Sequence, residues 1–128
     1  MIGFDLDGVL CPEYIWLDGV SRDVILKMSR ILAPIFQPSG EYCIVTGRNN
    51  SEITLEWITE KLNVKPMFVY INVDNISPAL FKQQIIQNNN IETFIESEFA
   101  QVEYLRNNTT KNIIHINDLF KGLYEERN

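Results

Sequence analysis

Residues 1–12 read Met1-Ile2-Gly3-Phe4-Asp5-Leu6-Asp7-Gly8-Val9-Leu10-Cys11-Pro12, an apolar run that delivers two carboxylates where a strand stops. Side chains alternate along a strand, so residues two apart face the same side. Asp5 and Asp7 therefore converge only near the strand end, where Gly8 lets the chain turn away. Two carboxylates held together repel, and a dication or a shared proton relieves that repulsion. Taken alone, Asp-x-Asp-Gly also fits a solvated acidic turn.

Working outward, four more runs are short, continuous and apolar: 42–46, 67–71, 93–96 and 112–116. With 2–5 they match the buried strands of a parallel sheet. Helical periodicities lie between them. Residues 21–36 place Val24, Ile25, Met28, Ile31, Leu32 and Ile35 on one face. Residues 51–62 open on a capping serine and carry Ile53, Leu55, Trp57, Ile58 and Leu62. Residues 78–87 begin with a proline suited to a first helical turn. Residues 98–106 contribute Phe99, Val102 and Leu105, and 118–128 read as a short terminal helix. This alternation predicts an α/β fold, a Rossmann-like three-layer sandwich around a five-stranded parallel sheet. The first strand is expected at the centre, the second and third to one side, the fourth and fifth to the other.

The 128 residues suit one domain, 1–128. With 45% hydrophobic and 22% charged residues the composition is globular, not disordered. No apolar run approaches the roughly 20 residues that span a bilayer, so no membrane partner is expected. Met1 leads straight into the acidic motif, with no basic start or cleavage site of a secretory signal. Cys11 and Cys43 are too few and too separated for a disulfide framework or zinc site. A cytoplasmic protein with two free thiols is the simplest expectation. Eleven basic residues stand against 17 acidic ones, a net charge of −6. That balance disfavours unspecific binding to nucleic acid and leaves room only for a local basic patch.

In open parallel sheets, ligands collect beyond the carboxyl ends of strands, where strand order reverses. The polar residues that end these apolar runs are therefore the candidates. The first run ends in Asp5 and Asp7. The second ends in Thr46, Gly47 and Arg48, and the fourth in Glu96, Ser97 and Glu98. Lys82 sits early in the third helix. Together they would surround a phosphate and its magnesium ion.

With these residues in hand, the chain resembles the haloacid dehalogenase superfamily of phosphohydrolases, over nearly its whole length from Phe4 to about Ile116. The Phe4-Asp5-Leu6-Asp7-Gly8-Val9-Leu10 stretch matches the first motif, Thr46-Gly47 the second, Lys82 the third, and Phe94 to Leu105 the fourth with its helix. The resemblance implies hydrolysis through an aspartyl-phosphate. Asp5 attacks phosphorus, and Asp7 protonates the leaving oxygen and then activates water. Thr46, Gly47, Arg48 and Lys82 hold the phosphate. The metal, Mg2+, falls to Asp5, the Asp7 backbone carbonyl and one more acid. Where the family often has aspartate, this chain has Ser97, so Glu96 is the expected third contributor and Glu98 the alternative.

Individual residues keep plainer readings. Thr46 could cap the following helix, and Lys82 could be a solvated helix lysine. Arg48 either contacts substrate or pairs with an acid. His115 is read as structural, and Cys11 as a small spacer. Tyr14, Trp16 and Leu17 fall where the family places a mobile flap. Neither gap between motifs holds a cap domain, so the site is expected to be open, with room for a second copy of the chain to cover it. A small phosphorylated metabolite, such as a sugar phosphate or nucleotide, is the expected substrate. The alternatives are a nucleic-acid end, because capless relatives with a Thr/Ser-Gly-Arg second motif act there, and a non-catalytic phosphate- or partner-binding role.

Overall fold

The computed structural model describes residues 1–13 and 19–127. Five parallel strands form one sheet: β1 (Ile2–Phe4), β2 (Tyr42–Thr46), β3 (Phe68–Ile71), β4 (Thr93–Glu96) and β5 (Asn112–His115). Their order is β3-β2-β1-β4-β5, with Phe4 in register with Ile44 on one side and Ile95 on the other. The chain runs outward through β2 and β3, then crosses back to β4. Strand order therefore reverses between β1 and β4, and the carboxyl end of β1 lies beside that switch point.

Helices α1 (Arg22–Met28), α2 (Ser51–Lys61), α3 (Pro78–Asn88), α4 (Phe99–Asn108) and α5 (Ile116–Arg127) connect and flank the strands. The two-residue alternation of each strand feeds two cores. Phe4, Tyr42, Ile44 and Ile95 pack on one face with Trp57 and Ile58 of α2 and Leu6 and Leu10 of the acidic loop. Cys43, Val45, Phe94 and Ile113 pack on the other with Ile86 of α3 and Val102 and Leu105 of α4. Trp57 is fully buried, and its indole N–H donates to the Leu32 carbonyl at 3.2 Å. Among the described residues no helix is long and apolar enough to cross a membrane.

Boundaries shift from the sequence reading at several elements, among them β1, β5 and α1. Asp5 lies just past β1, although its amide still donates to Ile95 O at 2.9 Å and continues the ladder. Ile116 opens α5 directly after β5 instead of ending the strand. The expected helix over 21–36 stops at Met28 and tightens into a 3-10 turn, Ser29–Ile31. Pro34 bars the helix from running on to residue 36, since a proline pushes the residue before it, Ala33, out of the helical region. The apolar residues of this stretch share no buried face. Ile25 alone of that set is buried, while Val24, Met28, Ile31 and Ile35 are exposed, Ile31 at 85%. The expected flap residues Tyr14, Trp16 and Leu17 lie outside the described residues.

Candidate active site

The acidic loop is held from below. Leu6, Val9, Leu10 and Cys11 are all fully buried, and the Leu6 carbonyl accepts from the amides of Leu10 and Cys11, each at 2.9 Å. With Leu6 pointing into the core, Asp5 and Asp7 are left on the opposite side of the turn. Gly8 adopts φ +82°, and a Cβ there would sit 2.5 Å from Ser97 Oγ. That close approach lets the Ser97 hydroxyl donate to the Asp7 main-chain carbonyl at 3.0 Å. The loops after β1 and β4 are thereby joined.

Asp5, Asp7, Thr46, Gly47, Arg48, Lys82, Glu96 and Glu98 all line one cleft of about 200 Å³ at the carboxyl edge of the sheet. Lys82 is buried at its heart, with Nζ 2.6 Å from Glu96 Oε1 and 3.3 Å from Asp5 Oδ1. The reading as a solvated helix lysine is therefore set aside. Burial opposes its charge, but Asp5 and Glu96 outweigh that and raise its pKa above the usual lysine value. Glu96 is fully buried, and its other oxygen accepts from the Ser97 amide at 2.8 Å.

Asp5 and Glu96 divide the charge unequally. Burial pushes the Asp5 carboxyl well above the usual range, and neighbouring Glu96 and Asp7 add to the rise that Lys82 resists. Burial also opposes the charge on Glu96, but Lys82, a hydrogen bond from Asp5 and the Ser97 amide outweigh it and lower its pKa. Of the two carboxyls, Asp5 is thus the weaker acid and Glu96 the stronger.

Arg48 takes the second of its two readings. Its side chain is buried and forks onto Asp7, Nε to Oδ2 at 2.8 Å and Nη2 to Oδ1 at 2.5 Å. Cys11 Sγ accepts weakly from the same guanidinium at 3.8 Å, and burial, with Asp7 nearby, pushes the thiol up to about 12. A thiol held protonated in this way is in line with the spacer reading. Thr46 does not cap α2; Asn50 does, accepting from the Ile53 amide at 3.0 Å. Thr46 Oγ1 accepts instead from the Arg48 amide at 3.2 Å, which keeps its hydroxyl hydrogen as a donor. Gly47 backs onto Pro78, whose Cβ would lie 3.0 Å from an added methyl.

His115 meets the site from outside. Its Nδ1 accepts from the Asn117 amide at 3.0 Å, so Nε2 carries the hydrogen and donates to the Ser97 carbonyl at 2.8 Å. Phe99 stacks on its ring at 3.9 Å. This is a prop under the Glu96–Glu98 turn, in line with a structural role.

The sequence reading missed Glu13, Asn75, Pro78 and Gln101, which also line the cleft. Pro78 was read only as a helix start. Gln101 had a signal: it lies one turn beyond Glu98, on the helix face that looks back at the strand ends. Its Oε1 accepts from Lys82 Nζ at 2.7 Å and its Nε2 donates to Glu98 Oε2 at 2.8 Å.

The cleft lining holds five acids, Asp5, Asp7, Glu13, Glu96 and Glu98, against two cations, Arg48 and Lys82. Among the described residues no three His, Cys, Asp or Glu side chains form a ready metal cage. Magnesium, however, takes one or two carboxylates and completes its shell with water and phosphate oxygens. A donor set of hard oxygens only, with acid in surplus, fits such an ion. No protein-family model matches the chain, and neither a curated protein nor a solved structure matches it.

Proposed function

We propose that this protein is a phosphomonoesterase of the haloacid dehalogenase type, acting on a small phosphorylated metabolite. The observation that carries this reading is Lys82, buried between Asp5 Oδ1 and Glu96 Oε1 at the end of the central strand. A buried ammonium between two carboxyls, next to Thr46 and Gly47, suits a phosphoryl group approaching Asp5.

In the first step the proton that burial favours on Asp5 passes to Asp7, and the freed Asp5 oxygen attacks phosphorus. The bond from phosphorus to the ester oxygen breaks, and Asp7 gives that oxygen the proton. In the second, Asp7 takes a proton from water, whose oxygen attacks phosphorus and releases Asp5 and inorganic phosphate. Lys82 and the Thr46 hydroxyl hold the phosphoryl oxygens, and Arg48 holds Asp7 in place. Asp5, the Asp7 carbonyl and Glu96, with Glu98 as the alternative, would hold magnesium, which when bound offsets the charge of the phosphate dianion.

A small substrate is favoured by the charge around the cleft, whose described lining encloses about 200 Å³. Exposed Glu13 and Glu98 border it and would repel a polyanionic nucleic-acid end. Two buried free thiols suit a reducing compartment such as the cytoplasm. The test is a panel of phosphate esters with and without magnesium, run beside Asp5→Asn. Phosphate release that needs magnesium and Asp5 supports the reading; release that persists in purified Asp5→Asn removes the covalent route.

A further inference from the structure

An ammonium has three hydrogens to donate, and Lys82 meets three acceptors: Glu96 Oε1 at 2.6 Å, Gln101 Oε1 at 2.7 Å and Asp5 Oδ1 at 3.3 Å. Glu96 and Gln101 take short hydrogen bonds, and Asp5 stands as the ion-pair partner on the remaining side. A phosphoryl oxygen therefore reaches Lys82 by competing with one of the three.

The three differ in how firmly they are held. Glu96 is locked by the Ser97 amide, and Asp5 by the Leu6 amide at 2.8 Å. Both sit at the ends of adjacent central strands. Gln101 is neutral, only partly buried, and tethered on its far side to the exposed Glu98 among the described residues. It is the acceptor that gives way. A phosphate oxygen carries negative charge and accepts more strongly than an amide carbonyl, so the exchange runs toward phosphate.

We propose that Gln101 is a positioning residue that occupies the phosphoryl oxygen's place on Lys82 and is displaced when phosphate binds. The inference rests on the phosphatase reading above. Gln101 acts through Lys82: it keeps the buried ammonium satisfied in the empty site and returns as inorganic phosphate leaves. A buried donor left unbonded is costly, so the return of Gln101 aids release. The affinity of the site for phosphate is accordingly set below what Lys82 alone would give.

The experiment is calorimetric titration of inorganic phosphate into the full chain in magnesium-containing buffer. Gln101→Ala, a good helix former on a partly exposed helix position, is expected to bind phosphate about tenfold more tightly, the equivalent of one removed competing hydrogen bond. Gln101→Glu, which puts a charged acceptor in the same place, is expected to bind more weakly than the unaltered protein. In turnover of a phosphate ester, Gln101→Ala should lower KM. Phosphate binding unchanged or weakened in Gln101→Ala overturns this inference alone. No phosphate binding by the unaltered protein, or full binding by Lys82→Met, overturns the phosphatase reading along with it.

Discussion

Arg48 and Asp7, 41 residues apart in sequence, form a two-pronged ion pair at 2.8 and 2.5 Å across the top of β1 and β2. Both carboxylate oxygens of Asp7 are engaged, and the planar fork fixes the plane of the carboxylate as well as its position. In the proposed chemistry Asp7 handles the proton, so Arg48 decides where that proton is offered.

Arg48→Lys keeps the charge and loses the fork, which makes it a substantial change at a paired site. Asp7→Asn should cost roughly 10²–10⁴-fold in turnover, the usual weight of general acid–base catalysis. Arg48→Lys should cost a smaller part of that. Because the two act as one unit, the double variant should be no slower than Asp7→Asn by itself. Steady-state rates of the three variants check this, and losses that multiply would show Arg48 acting elsewhere.

Asp5→Asn should abolish phosphate release while making the fold more stable at neutral pH in the presence of a chelator. The sign follows from the raised pKa of Asp5. The folded chain keeps that proton to a higher pH than the unfolded chain, whose value is near 3.8. Stability therefore falls as pH rises from the unfolded toward the folded pKa, and the loss persists above it. Asparagine stays neutral and escapes that loss. The gap in melting temperature between variant and parent should be small near pH 4 and widen toward pH 8. A gap that shrinks with rising pH would contradict the assigned protonation.

Ser97→Asp replaces the hydroxyl that donates to the Asp7 carbonyl with a second acceptor. Two acceptors facing each other need a cation between them. Magnesium should raise the melting temperature of this variant more than that of the parent, and half-maximal activity should need less of it. Glu96→Gln should need more magnesium. It is a cleaner probe than alanine, which would strip the buried Lys82 of a partner at a cost of about 3–5 kcal/mol. An unchanged magnesium requirement in Glu96→Gln would move the metal contact to Glu98.

Gly8→Ala forces a side chain into φ +82° and drives its methyl to 2.5 Å from Ser97 Oγ. The backbone conformation alone costs about 1–2 kcal/mol, and the clash adds to it. Chemical denaturation should show that loss, and Ser97→Gly in the same chain should recover the clash but not the strain. Complete recovery would mean that the left-handed backbone carries no cost.

Much of the architecture follows from local sequence alone. Short continuous apolar runs and helical periods near 3.6 are set by neighbours a few positions away, so all five strands could be read from the chain, as could four of the helices near their bounds. The same locality marked Asp5, Asp7, Thr46, Lys82 and Glu96 as strand-end or helix-opening polar residues. The expected helix over 21–36 is shorter than its apolar period: Pro34 bars helical geometry at Ala33, and the chain already tightens into a 3-10 turn after Met28.

Only the tertiary structure decided which side chain each polar group would meet. Arg48 had an acid or a substrate within reach of the sequence argument, and the neighbouring of β1 and β2 put Asp7 under it. Gln101 is an ordinary helix residue until α4 packs beside α3 and turns its amide onto Lys82. His115 acquires its role only because β4 and β5 pair with Glu96 opposite it, which brings its ring to the Ser97 carbonyl. Such partnerships join residues far apart in the chain, and they depend on strand order and helix docking, which no short window of sequence contains.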